Sequence, residues 1–249
     1  MRIGKFSRRA AFTAAAAAAM LGFGATPAVA ETQIGWTGAT LPIDGQIFMH
    51  NSTVTNDGPL AAKSKIWTMT GAEVDAFHMA VRARLFKGSV ICQVVDYQYN
   101  ATWAASLEIA TSGDCGSGPY NSHGFVKTFS STNGFQEHLT FPSSGIGYTA
   151  PAPALRSAPS EITPFAKDGK TFGVLNPEQS DAVQPDFVAA YTNDGQQGYI
   201  RSTDLNAPVA SVDSLRTLPQ SNGVVKTPAR DIPVFAADGA SQIGVLTTA

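Results

Sequence analysis

The chain has 249 residues, of which 43% are hydrophobic and 14% charged, with 17 Lys+Arg against 19 Asp+Glu. That balance argues against a nucleic-acid binder, which needs a concentrated basic face to neutralise phosphates. With 23 glycines and 15 prolines, and no long Ala/Leu/Glu/Lys run of helical period beyond the first thirty residues, the composition also excludes a helical bundle and predicts a mainly β chain with many turns.

The chain opens with Arg2, Lys5, Arg8 and Arg9, continues through an apolar run at 11–21, and reaches the small-residue signature Ala28-Val29-Ala30. This order predicts an export signal over residues 1–30. The apolar run is shorter than the ~20 residues that span a bilayer, so release into an extracellular, secreted state without membrane attachment is expected. Ser7-Arg8-Arg9-Ala10 resembles a twin-arginine opening, with Ala11 and Thr13 departing from it, and a general-secretion signal stays open. The leader carries four bases and no acid, so the mature part has 13 bases against 19 acids, a net charge of −6. Cys92 and Cys115, the two cysteines, are expected to pair in the oxidising compartment.

Residues 31–59 are rich in Thr, Gly, Asn and Asp and show no sustained periodicity, so little order is expected there. After a turn-like stretch at 71–75, Phe77, Met79, Val81, Ala83 and Leu85 alternate with His78, Ala80, Arg82 and Arg84, predicting a strand with one core face and one wet face. Lys87-Gly88 turns the chain into a second strand at 90–99, and 103–110 alternates as a third. Pairing of the second and third strands would bring Cys92 and Cys115 within bridging reach. A polar loop is expected over 111–124, followed by a hairpin of 125–129 and 135–141 around Asn133-Gly134.

Pro142, Pro151, Pro153 and Pro159 fall in an Ala/Ser-rich stretch that predicts a stiff linker at 142–160. It would divide an antiparallel β-sandwich or barrel-like N-terminal domain, 31–141, from a smaller hairpin-rich β domain, 161–249. Ile162-Thr163-Pro164-Phe165-Ala166-Lys167-Asp168-Gly169 is repeated as Ile232-Pro233-Val234-Phe235-Ala236-Ala237-Asp238-Gly239, each copy reading as a hairpin with Asp-Gly in its turn. A third hairpin is expected between them, at 187–201 around Asn193-Asp194-Gly195. Its end, Gly198-Tyr199-Ile200-Arg201-Ser202-Thr203-Asp204-Leu205, resembles the closing part of a bacterial SH3-like barrel, within residues 186–205 and without the tryptophan that usually precedes it. The resemblance implies a small barrel with a cell-wall ligand. The segments Cys115-Gly116-Ser117-Gly118 and Tyr120-Asn121-Ser122-His123-Gly124 are also similar to uncharacterised exported bacterial β-rich proteins.

No reaction motif stands out, and no catalytic residue, metal or cofactor is assigned. His50, His78, His123 and His138 lack metal-ligand spacing. Tyr120, Asn121, Ser122 and His123, on a glycine-flanked loop, and Trp103, among the aromatic residues, are the candidate ligand-binding residues; for the loop, side chains that satisfy its own backbone are the competing reading. Glu108 and Glu137 read as solubilising charges, with a glycosidase pair as the alternative. Asn51-Ser52-Thr53 and Asn100-Ala101-Thr102 fit the glycosylation sequon by coincidence, because the leader has a bacterial character. The preferred function is a secreted, non-enzymatic protein that binds cell-envelope or extracellular material. The alternatives are a hydrolase built on Ser122, His123 and Glu137, and a protease inhibitor presenting 111–124 as a rigid loop.

Overall fold

The computed structural model describes residues 30–151, 162–177, 179–206 and 211–249. The expected leader, apart from Ala30, and residues 152–160 of the expected linker lie outside the described residues. The protein is mainly β, with 51% of the described residues in strands and 5% in helix.

The first ten strands are β1 (Thr32–Ile34), β2 (Gly38–Ala39), β3 (Phe48–Thr55), β4 (Ala61–Thr68), β5 (Met79–Lys87), β6 (Val90–Asn100), β7 (Ser106–Ala110), β8 (Gly118–Ser130), β9 (Gly134–Leu139) and β10 (Ile146–Tyr148). One antiparallel sheet has the order β1-β3-β4-β7, with β2 also on β3. Strands β3, β4 and β7 pack over β5 and β8 of a larger sheet, sandwich fashion. Phe48, Ile66, Met79, Val81, Leu107, Ile109 and Val126 fill the space between the layers.

Order therefore begins at 32, well before the alternation visible in the sequence. Strand β3 turns Phe48, His50, Ser52 and Val54 inward, and two polar residues among those four hide its period. Ser52 is accommodated because its hydroxyl donates to the backbone carbonyls of Phe141 and Ser122. Gly38 lies opposite His50 on β3, where a Cβ would stand 2.4 Å from the imidazole.

The strand expected at 77–85 is β5, but it has no wet face. Every residue from 79 to 87 is buried. Met79, Val81, Ala83 and Leu85 face the smaller sheet, while Arg82 and Arg84 lie under the segment around Asp181, and Arg82 also under Leu205. The alternation has the correct register; the departure is on the second face, where two arginines are covered by chain distant in sequence that nothing near them announces.

Cys92 and Cys115 form the expected disulfide, with Cα atoms 5.9 Å apart. The geometry differs from the expectation: β7 pairs β4 in the other sheet, and Cys115 reaches β6 from the loop before β8. Tyr120 pins that loop by accepting the Cys115 N–H at 2.8 Å and donating to the Gly116 carbonyl. The bridge closes a separation of 23 residues, so removing it by Cys92→Ala with Cys115→Ala is expected to lower unfolding free energy by about 3 kcal/mol. Paired urea titrations of the two proteins measure this, and equal midpoints would contradict it.

The hairpin of β8 and β9 forms as expected, although only Gly134 takes a positive φ, 69°. Ser130 pairs with Gly134, so three residues, Ser131 to Asn133, form the turn, and the left-handed Gly134 directly follows them. Beyond it, Ser143 and Ile146 are buried and 146–148 form β10 against β8, so the first part of the expected linker is a sheet edge.

The C-terminal strands are β11 (Phe165–Lys167), β12 (Lys170–Gly173), β13 (Phe187–Tyr191), β14 (Gln197–Arg201), β15 (Gln220–Ser221), β16 (Val224–Val225), β17 (Asp231–Phe235) and β18 (Gln242–Thr247). The three expected hairpins are β11/β12, β13/β14 and β17/β18. Asp168 and Gly169 carry φ of 50° and 73°, the two positive values of a type I′ turn. The second repeat copy turns more widely, closed by Ala236 N–H to the Ser241 carbonyl at 2.8 Å. Phe165, Phe172 and Phe187 stack in series at 4.6 Å per step.

These hairpins do not stand apart from the N-terminal strands. Ala190 of β13 pairs in parallel with Ile91 of β6, and β16 pairs with the other end of β6. One core joins Leu85, Val90 and the disulfide to Phe172, Phe187 and Phe235. The segments expected as two domains thus share a sheet and a core.

Candidate functional site

Asn100, at the end of β6, is buried and organises two loops. Its side-chain NH₂ donates to the carbonyls of Asp75 and Thr102 at 2.8 and 2.9 Å, and its Oδ1 accepts from Met79 N–H at 2.8 Å. A buried side chain with this many partners is a structural hub, not a glycan acceptor. Val74 and Ala104 complete the clamp by exchanging both backbone hydrogen bonds. Between these anchors Phe77 has φ of 66°, a conformation that costs a bulky residue roughly 1–3 kcal/mol and persists where the surroundings over-determine it. Phe77 N–H donates to the Asn100 carbonyl at 2.8 Å, and its ring packs with Tyr97, Tyr99 and Leu215.

The clamp shapes a groove of about 180 Å³ whose walls include Asp44, Glu73, Asp75, His78, Trp103 and Phe129. Trp103 is 65% exposed, which is uneconomical for a core residue. His78 sits edge-on to Phe129 at 5.4 Å. Asp44 accepts Ser131 N–H and Ser130 Oγ–H, each at 3.1 Å, and these bonds, the Ser131 backbone first, hold its carboxyl below the usual range. Three carboxylates line the groove and neither Lys nor Arg does. They do not converge on a cation: among the described residues no three His, Cys, Asp or Glu side chains gather to hold a metal. An indole face beside carboxylates, of which Asp44 is held by its hydrogen bonds, suits a ligand with one apolar face and a fringe of hydroxyl or ammonium donors.

The other expected ligand residues are not in this groove. Tyr120, Asn121, Ser122 and His123 belong to β8, in register with β5 from Lys87↔Tyr120 to Arg84↔His123. They form a central strand, so the expected polar loop ends at Ser117 and 118–124 is not free to be presented to a protease. Successive side chains alternate faces. Tyr120 and Ser122 point into the sandwich, where the Ser122 hydroxyl donates to the Lys63 carbonyl at 3.3 Å. Asn121 and His123 point the other way and line a separate cavity with Phe86, Leu175 and Pro177. Ser122 and His123 therefore do not form a nucleophile and base. Glu137 is engaged elsewhere, accepting the Tyr97 hydroxyl at 2.6 Å and pairing with Lys127 at 3.5 Å. Glu108 pairs with exposed Lys63 on the smaller sheet, so the two glutamates do not flank one cleft.

Burial, reinforced by the Arg84 charge, pushes the His123 pKa down to about 3, and the ring is neutral at ordinary pH. Tyr97, Tyr99 and Tyr120 are core residues, whereas Trp36 stands exposed beyond β1. The acids and His78 of the groove were missed in the sequence; the available signal was Asp75, His78 and Trp103 flanking two predicted strand ends. No family model, curated protein or solved structure matches this chain.

Proposed function

We propose that the protein is an exported, non-enzymatic binding module that holds cell-envelope or extracellular glycan or peptide material in the Trp103 groove. The single observation that carries this reading is an exposed indole facing carboxylates on loops fixed by Asn100 and by a strained Phe77, a preorganisation that core packing alone does not call for. Export is supported by the leader, by the disulfide, and by the lack, among the described residues, of a helix long and apolar enough to cross a membrane. The likeness of 186–205 to an SH3-like barrel end is in keeping with the short 3-10 turn Ser202–Leu205 directly after β14.

Retention of the mature protein on purified cell wall and on a glycan array tests the reading. Trp103→Ala is expected to weaken retention by about 2 kcal/mol, roughly 30-fold, as for a central aromatic anchor. Asp75→Asn should weaken it less. No retention of the parent protein, or retention indifferent to both changes, would overturn the proposal.

A further inference from the structure

The second cavity is independent of the Trp103 groove and has a different chemistry. Its volume is about 70 Å³, room for a molecule of a few heavy atoms. His123 is fully buried, and neither ring nitrogen has a hydrogen-bond partner of ordinary geometry, although the Pro177 backbone is near enough to favour the charged ring slightly. A buried polar group of this kind is ordinarily satisfied by water or an ion. Asn121 lines the same cavity, and Phe86 and Leu175 supply its apolar walls.

The charge behind the cavity is unbalanced. Arg84 lies directly across the strand pair from His123, and Arg82 is two residues before it on the same face. Asp181 serves both guanidiniums, accepting from Arg84 Nη1 at 2.9 Å and Arg82 Nη1 at 3.2 Å. The neighbouring charges cancel among themselves: Lys127 pairs with Glu137 and Arg230 with Asp96. Within the cluster of Arg82, Arg84 and Asp181 one positive charge is left over at almost zero exposure, and both arginine Nε–H groups are unpartnered. An uncompensated buried charge destabilises the fold, and a counter-charge in adjacent space recovers much of that loss.

We propose that this cavity binds a small monovalent anion of the size of formate or nitrate, which receives the His123 N–H and the Asn121 amide and answers the excess charge of Arg82 and Arg84. A neutral His123 suits this role, donating from one nitrogen while the guanidiniums supply the field.

The test uses the mature protein labelled with ¹⁵N-histidine. The chain has four histidines, so the ring signals are resolvable. Sodium formate, nitrate, chloride and sulfate are titrated at constant ionic strength. The expected result is a saturable shift of the His123 ring with formate or nitrate, a weaker one with chloride, and none with divalent, larger sulfate. Asn121→Leu, a change at a partly exposed position, should weaken the apparent affinity at least tenfold. Equal or linear responses to all four salts, no response to any, or a saturable response unaltered by Asn121→Leu would overturn the proposal. Should the variant fail to fold, the anion ranking in the parent protein decides alone.

Discussion

Asp181→Asn is expected to lower the unfolding free energy by about 3–5 kcal/mol, the loss seen when one partner of a buried ion cluster is removed. Asp181 is 6% exposed, and Arg82 and Arg84 are 1% and 0% exposed, so water cannot take over the lost contacts without opening the fold. Desolvation opposes ionisation of Asp181, but the Arg84 and Arg82 charges more than offset it and its pKa is lowered. The neutral amide would leave two guanidiniums facing each other over Phe125, whose ring lies 4.8 Å from Arg84 and 5.4 Å from Arg82. Part of the arginine network survives in the variant, since Arg82 also donates to the Leu205 carbonyl and Asn206 Oδ1. Urea unfolding measures the effect, and a loss under 1 kcal/mol would show that the cluster is wetter than its burial indicates. Replacing Arg82, Arg84 and Asp181 together by Met, Met and Leu is expected to recover most of the loss, because swapping a whole buried cluster for packed apolar groups is often neutral or stabilising.

The same cluster marks the limit of what local sequence patterns convey. Alternation marks β5, β-branched and aromatic residues mark β6, and apolar runs on either side of Asp-Gly or Asn-Asp-Gly turns mark the three C-terminal hairpins. Strand β3 was invisible because His50 and Ser52 occupy inward positions, satisfied or tolerated by partners such as the Phe141 carbonyl, which is 89 residues from Ser52. Arg82 looked like a surface charge for the same reason: its carboxylate is 99 residues away on a 3-10 turn. Of the residues picked for ligand contact, Trp103, Asn121 and His123 do line cavities, but the adjacency of Ser122 and His123 suggested a shared site that the two-residue period of a strand forbids. The groove depends on Asn100 joining loops on either side of a strand pair, a contact that no short-range motif encodes.

Acidification from pH 7 to 4.5 is expected to remove roughly 2–5 kcal/mol of stability. Burial first, then the neighbouring His138, lowers the His50 pKa to about 4; burial first, then Arg84, lowers that of His123 to about 3. His138, stacked at 6.2 Å from His50, is also lowered, chiefly by burial. In the unfolded chain these rings bind protons near pH 6.5, so as pH falls below that value the unfolded state takes them up first and is stabilised relative to the folded one. The stabilisation is complete above about pH 6.5 and drains until the folded rings titrate in turn, at a limiting rate of about 1.4 kcal/mol per pH unit per histidine. Partial solvation of His138, which is only half-buried, places the sum below that limit. Carboxylates with lowered pKa, Asp181 among them, act in the same direction but at more acidic pH, so the loss above pH 4.5 belongs to the histidines. His50→Gln should flatten the urea midpoint against pH between 6.5 and 4.5 by its share, even if it lowers stability at pH 7. A parent profile that is level over that interval would mean that these rings are reached by water, and the burial of His50 and His123 would have to be given up.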